Sequence, residues 1–357
     1  MRRSRKIAVI AAVLLLAAGA LTCSACSGGY ILRAGVEEAK ILANRRPIPE
    51  VIADPATPPE AARRLRLVLA ARDYAEDALA LDAGDSYTTY SRIDRDTLAL
   101  VMSAAEKDRF ALVTWWFPIV GRVPYKGFFD VDDALEAERE LQGRGYDTFL
   151  RTTGAFSTLG WFNDPILTTT LRYDDVGLAS TVIHELTHNT IYLPGQAAFN
   201  ESFANFVGDR GAIELFCRLE GESGERCMQA RADWADNQLY ADFLQDLVHR
   251  LEALYGRDDL TREQKIEMRE EVFDDARARF ETELRPRLRT RRFLGFSRAP
   301  LNNATLIARR LYYDRLHLFE AAYQRLDRDL PRSIRTIAEA AEAADDPWAA
   351  LERLAGG

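Results

Sequence analysis

Apolar residues recur every three or four positions along most of the chain, and this spacing predicts a mainly helical protein. Helices are predicted at 61–81, 132–141 and 197–207, and a charged helix has its apolar face at Ile266, Phe273, Ala276, Phe280 and Leu284. Segments rich in β-branched and aromatic residues predict strands at 146–152 and 166–171. The pattern therefore indicates an α+β fold, in which a small mixed sheet precedes a large, mainly helical C-terminal lobe.

The most informative element is a predicted helix in which polar residues interrupt an apolar surface. These residues are His184, Glu185 and His188, and they include two of the four histidines of the chain. Histidines at positions i and i+4 lie on one face of a helix, so both imidazoles can bind one metal ion. Glu185 projects beside them, where it can take a proton from a metal-activated water. The motif is a signature of zinc hydrolases.

A second interpretation is a solvated helix turn whose histidines only face water. The residues around the motif argue against it, because they are mostly apolar: Leu178, Ala179, Val182, Ile183 and Leu186. A polar patch on an otherwise buried helix needs partners, and a metal ion supplies one. The composition of the helix therefore favours the metal site.

A third metal ligand is predicted on the next helix. Leu193-Pro194-Gly195 ends the first helix, because proline cannot continue it and glycine permits a sharp turn. An antiparallel second helix would return Glu201 to the metal, and two histidines with one glutamate leave a fourth position open, as in catalytic sites. Two other interpretations stay open: Glu201 serves only the helix dipole, or the ligand is one of the weaker rivals Asp209 and Glu214.

These motifs carry a resemblance to known families. His184-Glu185-x-x-His188 followed by Asn200-Glu201-x-x-Ala204 resembles the gluzincin group of zinc peptidases. Over nearly the whole mature chain, the sequence also resembles a bacterial lipoprotein family of predicted aminopeptidases. The segments that carry this wider resemblance are 117–119, 124–127, 157–165, 199–204 and 302–304.

The resemblance implies a zincin-like fold with the small sheet packed on the metal-binding helix, and a peptide or protein substrate. It implies one Zn²⁺ bound by His184, His188 and Glu201, with Glu185 as general base. The chain departs from the best-known gluzincins at Asn205, where an acidic residue often holds a histidine; an asparagine carbonyl is a weaker substitute. It also lacks a Gly-x-Met-Glu-Asn motif for the free amine, so amino-end specificity rests on the family name alone.

Two further site predictions concern the oxyanion and the substrate. A second donor to the oxyanion is needed, and we favour Tyr312 as this residue; the other candidates are Tyr192, His249, Tyr313 and His317. Packing of an aromatic ring between helices is at least as good an explanation for any one of them. For the substrate we expect an edge strand that pairs with an extended peptide, and we place it at Thr158, Leu159, Gly160 and Trp161. An ordinary buried strand and turn is the competing interpretation.

The N-terminal segment predicts export and a lipid anchor. Basic residues precede an apolar run from Ile7 to Leu21, which is typical of a secretory signal and short for a membrane span. A cysteine at its end suggests a lipoprotein, with Cys26 preferred over Cys23 because Ala25 precedes it. With Ser27 next, the resemblance implies a bacterial outer membrane location facing the periplasm. Plain secretion is the competing interpretation.

Charge and cysteine content add two expectations. The chain carries a net charge of −8, and loss of the basic signal segment makes it more acidic, which argues against a nucleic-acid partner. The remaining cysteines, Cys217 and Cys227, flank a turn-like segment and are candidates for a disulfide in an oxidising compartment. The predicted organisation is a signal peptide, a lipidated linker, a catalytic α+β region and a helical lobe, at 1–25, 26–60, 61–215 and 216–357.

The leading hypothesis is a zinc-dependent peptidase anchored to the bacterial envelope. A hypothesis from another class is a metal-binding lipoprotein scaffold or envelope chaperone without turnover. Intact Glu185 favours the enzyme, because a scaffold has no chemical need for a general base. A third possibility is hydrolysis of a non-peptide amide by the same chemistry.

Overall fold

The computed structural model describes residues 41–93, 99–117, 121–153 and 164–356. The predicted signal peptide, Cys23, Cys26 and the predicted substrate strand Thr158–Trp161 lie outside the described residues. Within the described part of the chain, every helix is too short or too polar to cross a membrane.

Eleven helices account for most of the described residues. In chain order they are α1 (Ile48–Ala53), α2 (Pro59–Asp77), α3 (Val131–Gly143), α4 (Asp175–Thr190), α5 (Ala197–Glu220), α6 (Glu225–Tyr255), α7 (Arg262–Arg279), α8 (Asn303–Tyr313), α9 (Leu316–Arg325), α10 (Leu330–Glu342) and α11 (Pro347–Ala355). Several begin where the sequence provides a cap: Asp130 accepts the backbone N–H groups of 132 and 133, and Thr261 forms a capping box with Gln264.

The strands are short and form three separate small sheets among the described residues. They are β1 (Arg46–Pro47), β2 (Thr89–Ser91), β3 (Ala99–Ala105), β4 (Trp115–Phe117), β5 (Gly121–Val123), β6 (Lys126–Phe128), β7 (Asp147–Thr153) and β8 (Ile166–Leu167). One sheet has the order β1-β2-β8 and pairs β2 with β8 in parallel. A second has the antiparallel order β6-β3-β7, and β4 pairs with β5. The fold is therefore mixed α+β, as predicted.

Most of the buried apolar surface belongs to a single helical core. This core joins α2, α4, α5, the first half of α6 and the C-terminal helices α9 to α11. The predicted apolar face of α5 lies in it, because Phe199, Phe203, Phe206 and Val207 are all buried. A second core joins the rest of α6 to α7 and α8, and a third lies between α3 and the sheet β6-β3-β7.

The structure differs from the expectations in three places. The single mixed sheet expected beside the metal-binding helix is divided, and β3 and β7 pack against α3 and α8. The predicted strand 166–171 is limited to β8, because a 3₁₀ turn follows at Thr170–Arg172. The predicted linker 26–60 contains the helix α1, whose Ile48 and Val51 are buried in the main core. The predicted division at 215/216 falls within α5, and the domain organisation stays a prediction.

A buried ion pair joins the antiparallel sheet to the second core. Arg269 on α7 donates from Nη1 and Nη2 to the two carboxylate oxygens of Asp147, the first residue of β7, at 2.7 and 3.0 Å. Both side chains are only 6% exposed. Asp147 also accepts the backbone N–H of Asn303 at the start of α8, at 3.0 Å. The pair therefore positions one end of β7 relative to α7 and α8.

We expect Arg269→Met to destabilise the protein by about 3–5 kcal/mol, because it leaves the Asp147 charge buried and unpaired. The measurement is the free energy of unfolding from urea titration monitored by circular dichroism. Arg277→Met is the matched control on the same helix, since Arg277 forms an ion pair only with the exposed Asp274. That control should change the free energy by less than about 1 kcal/mol, and equal effects of the two variants would contradict the prediction.

Candidate metal centre

The N-terminal end of α4 is held by charged groups. The side chain of Asp174 accepts the backbone N–H of Gly177 at 2.7 Å and caps the helix. Arg63 on α2 donates twice to Asp175, at 2.7 and 2.8 Å. Hydrogen bonding by Arg63 is the main reason that the pKa of Asp175 lies below its ordinary value. These contacts orient the helix that carries His184, Glu185 and His188.

A side-chain hydrogen-bond pair holds the turn that reverses the chain after α4. Asn200 on α5 is buried; its Nδ2 donates to the Leu193 carbonyl at 2.8 Å and its Oδ1 accepts the Leu193 N–H at 3.0 Å. Gly195 in the same turn has a φ of +79°, which favours glycine. The turn places Glu201 opposite the histidines, as the sequence predicted.

Two glycines on α5 allow the helices to approach closely beside the site. A Cβ atom on Gly208 would lie 2.7 Å from the Ser180 carbonyl oxygen and 3.1 Å from the His184 Cβ. A Cβ atom on Gly211 would lie 3.0 Å from the Ile183 Cδ1. The distance at Gly208 is too short for any real Cβ atom, and at Gly211 the neighbouring Ile183 side chain would have to shift, so both glycines favour the α4–α5 separation that brings the ligand atoms together.

The three predicted ligands converge at one point. The Nε2 atoms of His184 and His188 lie 3.2 Å apart, and their rings are nearly perpendicular. Glu201 Oε2 lies 3.3 Å from His184 Nε2 and 3.6 Å from His188 Nε2. Both histidine side chains are nearly buried, whereas 27% of the Glu201 side chain is exposed, so the cluster is open to solvent on one side.

These distances fit a metal ion with tetrahedral ligands. Two ligand atoms at about 2.0–2.1 Å from such an ion lie about 3.3–3.4 Å apart. Without an ion, two buried imidazole nitrogens at 3.2 Å can share only one proton between them, and the carboxylate oxygen faces both. An ion at the centre would satisfy all three atoms at once.

The local charges keep Glu201 in its ionised form, which is the form that binds a metal ion. Burial alone raises the pKa of Glu201, but the hydrogen bonds from His184 and His188 and their charges lower it well below the ordinary range. Burial lowers the pKa of His184, yet the carboxylates of Glu201 and Glu185 outweigh this effect and raise it. A metal cation at this cluster would therefore meet a carboxylate that is already ionised.

Glu185 lies in the same cleft and keeps its carboxylate free. After burial, the charge of Glu185 is the largest cause of the raised pKa of Tyr173, and it also contributes to the raised pKa of Tyr312. Glu185 forms no hydrogen bond or salt bridge with any residue that the structure describes. Its carboxylate can therefore accept a proton from a water beside the cluster.

Tyr312 is next to the metal ligands, and α5 holds it there. Its ring stacks on that of His184, with ring centroids 6.3 Å apart. The Tyr312 carbonyl accepts a hydrogen bond from Asn205 Nδ2 at 2.5 Å. Ser202 Oγ donates to the Leu311 carbonyl and accepts the Asp314 N–H, at 3.2 and 3.0 Å. Asn205 therefore supports Tyr312, whereas the sequence suggested support of a histidine.

The rival residues have other partners. Asp209 accepts hydrogen bonds from Ser180 Oγ at 2.7 Å and from Asn237 Nδ2 at 2.6 Å. Glu214 accepts from the Tyr74 hydroxyl at 2.9 Å. Neither belongs to the cluster of His184, His188 and Glu201.

The other candidates for the oxyanion donor also lie elsewhere. Tyr313 packs against Tyr240 and Phe293, with ring centroids 5.1 and 5.7 Å apart. His249 and His317 line a separate cavity between α6 and α9. Tyr192 is the exception: it is exposed, but it lies near Tyr125, whose pKa it helps to raise, after burial and Glu201.

The structure adds three residues that the sequence did not single out. Tyr125 and Tyr173 lie near the cluster, as their raised pKa values indicate. Burial is the largest cause in both, and the next is the charge of Glu201 for Tyr125 and of Glu185 for Tyr173. Arg151 on β7 lies over the Tyr312 ring, with its Cζ 5.8 Å from the ring centroid. The three residues belong to separate segments of the chain. Tyr125 is the only one of the three that lies within a motif of the family resemblance, so it is the only one that the sequence could have indicated.

Cys217 and Cys227 are bonded to each other in the structure, with Cα atoms 4.7 Å apart. The bond joins the end of α5 to the start of α6. Glu222 lies near both sulfur atoms, but the sulfur atoms bond each other rather than a metal.

Together, the geometry defines a two-histidine, one-glutamate centre on two antiparallel helices of a mixed α+β protein. A model of the family described as "Putative aminopeptidase" matches residues 29–349. The chain belongs to this family, whose name indicates a peptidase. Comparison with curated proteins and with solved structures gave no match.

We expect purified protein to contain about one equivalent of a divalent metal, and His188→Ala to lose most of it, because a chelating site loses one of three ligands. The measurement is metal content by mass spectrometry after dialysis. His317→Ala is the control, since His317 lies away from the cluster. Equal metal content in the wild type and His188→Ala would show that these residues are not the ligands.

Proposed function

We propose that this protein is a zinc-dependent peptidase of a zincin-like type, with Zn²⁺ held by His184, His188 and Glu201. The convergence of two imidazole nitrogens and one carboxylate oxygen at 3.2–3.6 Å, open on one side, carries this proposal. Zinc suits such nitrogen and oxygen ligands, and three protein ligands are typical of its catalytic sites. When bound, the ion would polarise the scissile carbonyl and lower the pKa of water.

Glu185 supplies the proton transfer in this proposal. Its carboxylate projects from the same helix as the two histidine ligands and has no partner among the described residues. It takes a proton from the attacking water and delivers it to the leaving amine.

Tyr312 supplies a hydrogen bond to the developing oxyanion. Burial and then the charge of Glu201 raise the pKa of Tyr312 well above its ordinary value, so its hydroxyl stays protonated and can donate. Asn205 and Ser202 fix the backbone on both sides of this residue. A donor held in place before the reaction stabilises the transition state at little cost in reorganisation.

We also propose that the protein acts in the bacterial envelope, anchored through lipid on Cys26 to the outer membrane and facing the periplasm. The signal-like segment ending near Cys26 supports this location. The disulfide between Cys217 and Cys227 supports it further, because such bonds persist in oxidising compartments. The partners would be a peptide or protein substrate and the membrane, without nucleic acid.

The central experiment is digestion of a peptide library, with products read by mass spectrometry. Zinc-loaded wild-type protein should cleave peptides, and ladders that lose single N-terminal residues would identify an aminopeptidase. Glu185→Gln should keep its zinc and lose about 10²–10⁴-fold in kcat, because it lacks the general base.

Full activity of the Glu185→Gln variant would refute the proposed chemistry. Absence of cleavage by zinc-loaded wild-type protein would refute the peptidase and favour a metal-binding scaffold or chaperone. Internal cuts in place of ladders would make the protein an endopeptidase.

Tyr312→Phe should lower kcat by about 10²–10³-fold with little change in KM, because it removes a donor used mainly in the transition state. The measurement is steady-state kinetics on the best library peptide. Tyr313→Phe is the matched control, since the neighbouring ring packs in the second core. A kcat for Tyr312→Phe within twofold of the wild type would exclude this role.

A further inference from the structure

Arg151 places a positive charge beside the proposed active site. It lies on β7, and its Cζ is 5.8 Å from the centroid of the Tyr312 ring. That ring in turn lies 6.3 Å from the His184 ring. One tyrosine therefore separates the guanidinium of Arg151 from the metal ligands.

Arg151 has no carboxylate partner among the residues that the structure describes. Its guanidinium makes a cation–π contact with Tyr312. Most other arginines near the core are paired, as Arg269 is with Asp147 and Arg210 with Glu320. A half-buried arginine that has no acidic partner in the described part of the chain can bind an anion.

The surroundings of Arg151 are phenolic rather than acidic. Its charge acts on Tyr125, Tyr173 and Tyr312, where it opposes the rise in pKa caused by burial and then by Glu201 or Glu185. Among the described residues, Glu201 raises the pKa of Tyr125 and Glu185 raises that of Tyr173, and the proposed mechanism uses both carboxylates. The charge of Arg151 is therefore available to a ligand.

The backbone that carries Arg151 is held on both sides. β7 pairs with β3 along its whole length, with Arg151 opposite Val101. At the start of the strand, Asn302 Nδ2 donates to the Thr148 carbonyl at 2.9 Å, and Asp147 binds Arg269. A cation on such a strand is positioned before a ligand arrives, which favours specificity.

We infer that Arg151 binds a carboxylate of the substrate, so that the protein prefers peptides bearing a negative charge within a few residues of the scissile bond. This inference rests on the proposed peptidase function. An extended peptide advances about 3.3–3.6 Å per residue, so a carboxylate near Arg151 is about two or three residues from the bond. The same chemistry has two sources, the C-terminal carboxylate of a short peptide or an acidic side chain.

The test compares peptides that differ only in charge. The probes are tetra-alanine with a free C-terminus, its C-terminal amide, and amidated peptides with one glutamate at each position in turn. The proteins are wild type, Arg151→Met, Arg151→Lys and the control Arg144→Met. Arg144 also lies over a tyrosine ring, with its Cζ 5.5 Å from the Tyr146 centroid, but on the exposed surface.

Two readouts separate binding from turnover. One is kcat/KM for cleavage of each probe, and the other is calorimetric affinity for the same probes with zinc-loaded Glu185→Gln protein, with and without Arg151→Met. We expect charged probes to be favoured about 10- to 100-fold by wild type and by Arg144→Met, as for a hydrogen bond to a charged group. Arg151→Met should lose this preference and keep activity on the amide, and Arg151→Lys should retain part of it.

The outcomes distinguish the two proposals. Preference for free tetra-alanine alone identifies the C-terminal carboxylate, and preference for a glutamate probe identifies an acidic side chain. The inference is overturned if wild type cleaves the charged probes and the uncharged tetra-alanine amide equally well, or if Arg151→Met keeps the preference of wild type. Either result leaves the peptidase intact. Charge-dependent binding without cleavage refutes the peptidase and keeps the carboxylate subsite. Neither binding nor cleavage overturns both.

Discussion

The close crossing of α4 and α5 is the constraint on which the site depends. Gly208 and Gly211 leave no side chain between the helices, and Gly208 lies against the turn of α4 that carries His184. If the helices were farther apart, the atoms of His184, His188 and Glu201 could not all lie within bonding distance of one ion. The buried Asn200 and the turn at Gly195 set the direction in which α5 returns.

From this pair of helices, polar contacts extend to the remaining parts of the cleft. Ser202 and Asn205 bind the backbone around Tyr312, so one side of α5 provides a ligand and the supports of the tyrosine. The other end of α8 is tied to β7, because Asn302 caps the helix and also binds the Thr148 carbonyl. The helix that carries Tyr312 is therefore joined at one end to the strand that carries Arg151 and at the other to the ligand helix α5.

The distribution of charge around the cleft is informative about substrate chemistry. Glu201 faces the histidines, and Glu185 has no hydrogen-bond or ion-pair partner among the described residues, whereas Arg151, Tyr125, Tyr173 and Tyr312 lie nearby. A cleft of this kind offers a base, a neutral donor and a cation. These groups suit hydrolysis of an amide whose neighbouring portion carries a negative charge.

The sequence by itself determined the local features of this protein. The apolar spacing predicted the helices, the four-residue spacing of His184 and His188 placed both on one helix face, and the proline and glycine after α4 predicted the turn to Glu201. The mixed α+β class was predicted as well. These features depend on neighbours in the chain, which a periodic pattern reveals.

Only the tertiary structure decided which distant residues meet. The sheet is divided, Asn205 supports Tyr312 instead of a histidine, and Asp209 binds Ser180 and Asn237. The sequence predicted only that Arg151 lies in a strand, and the structure places its charge over the Tyr312 ring. Such contacts join separate elements, at separations from 28 to 107 positions or more, and they follow from the packing of whole elements, which local residue patterns do not specify.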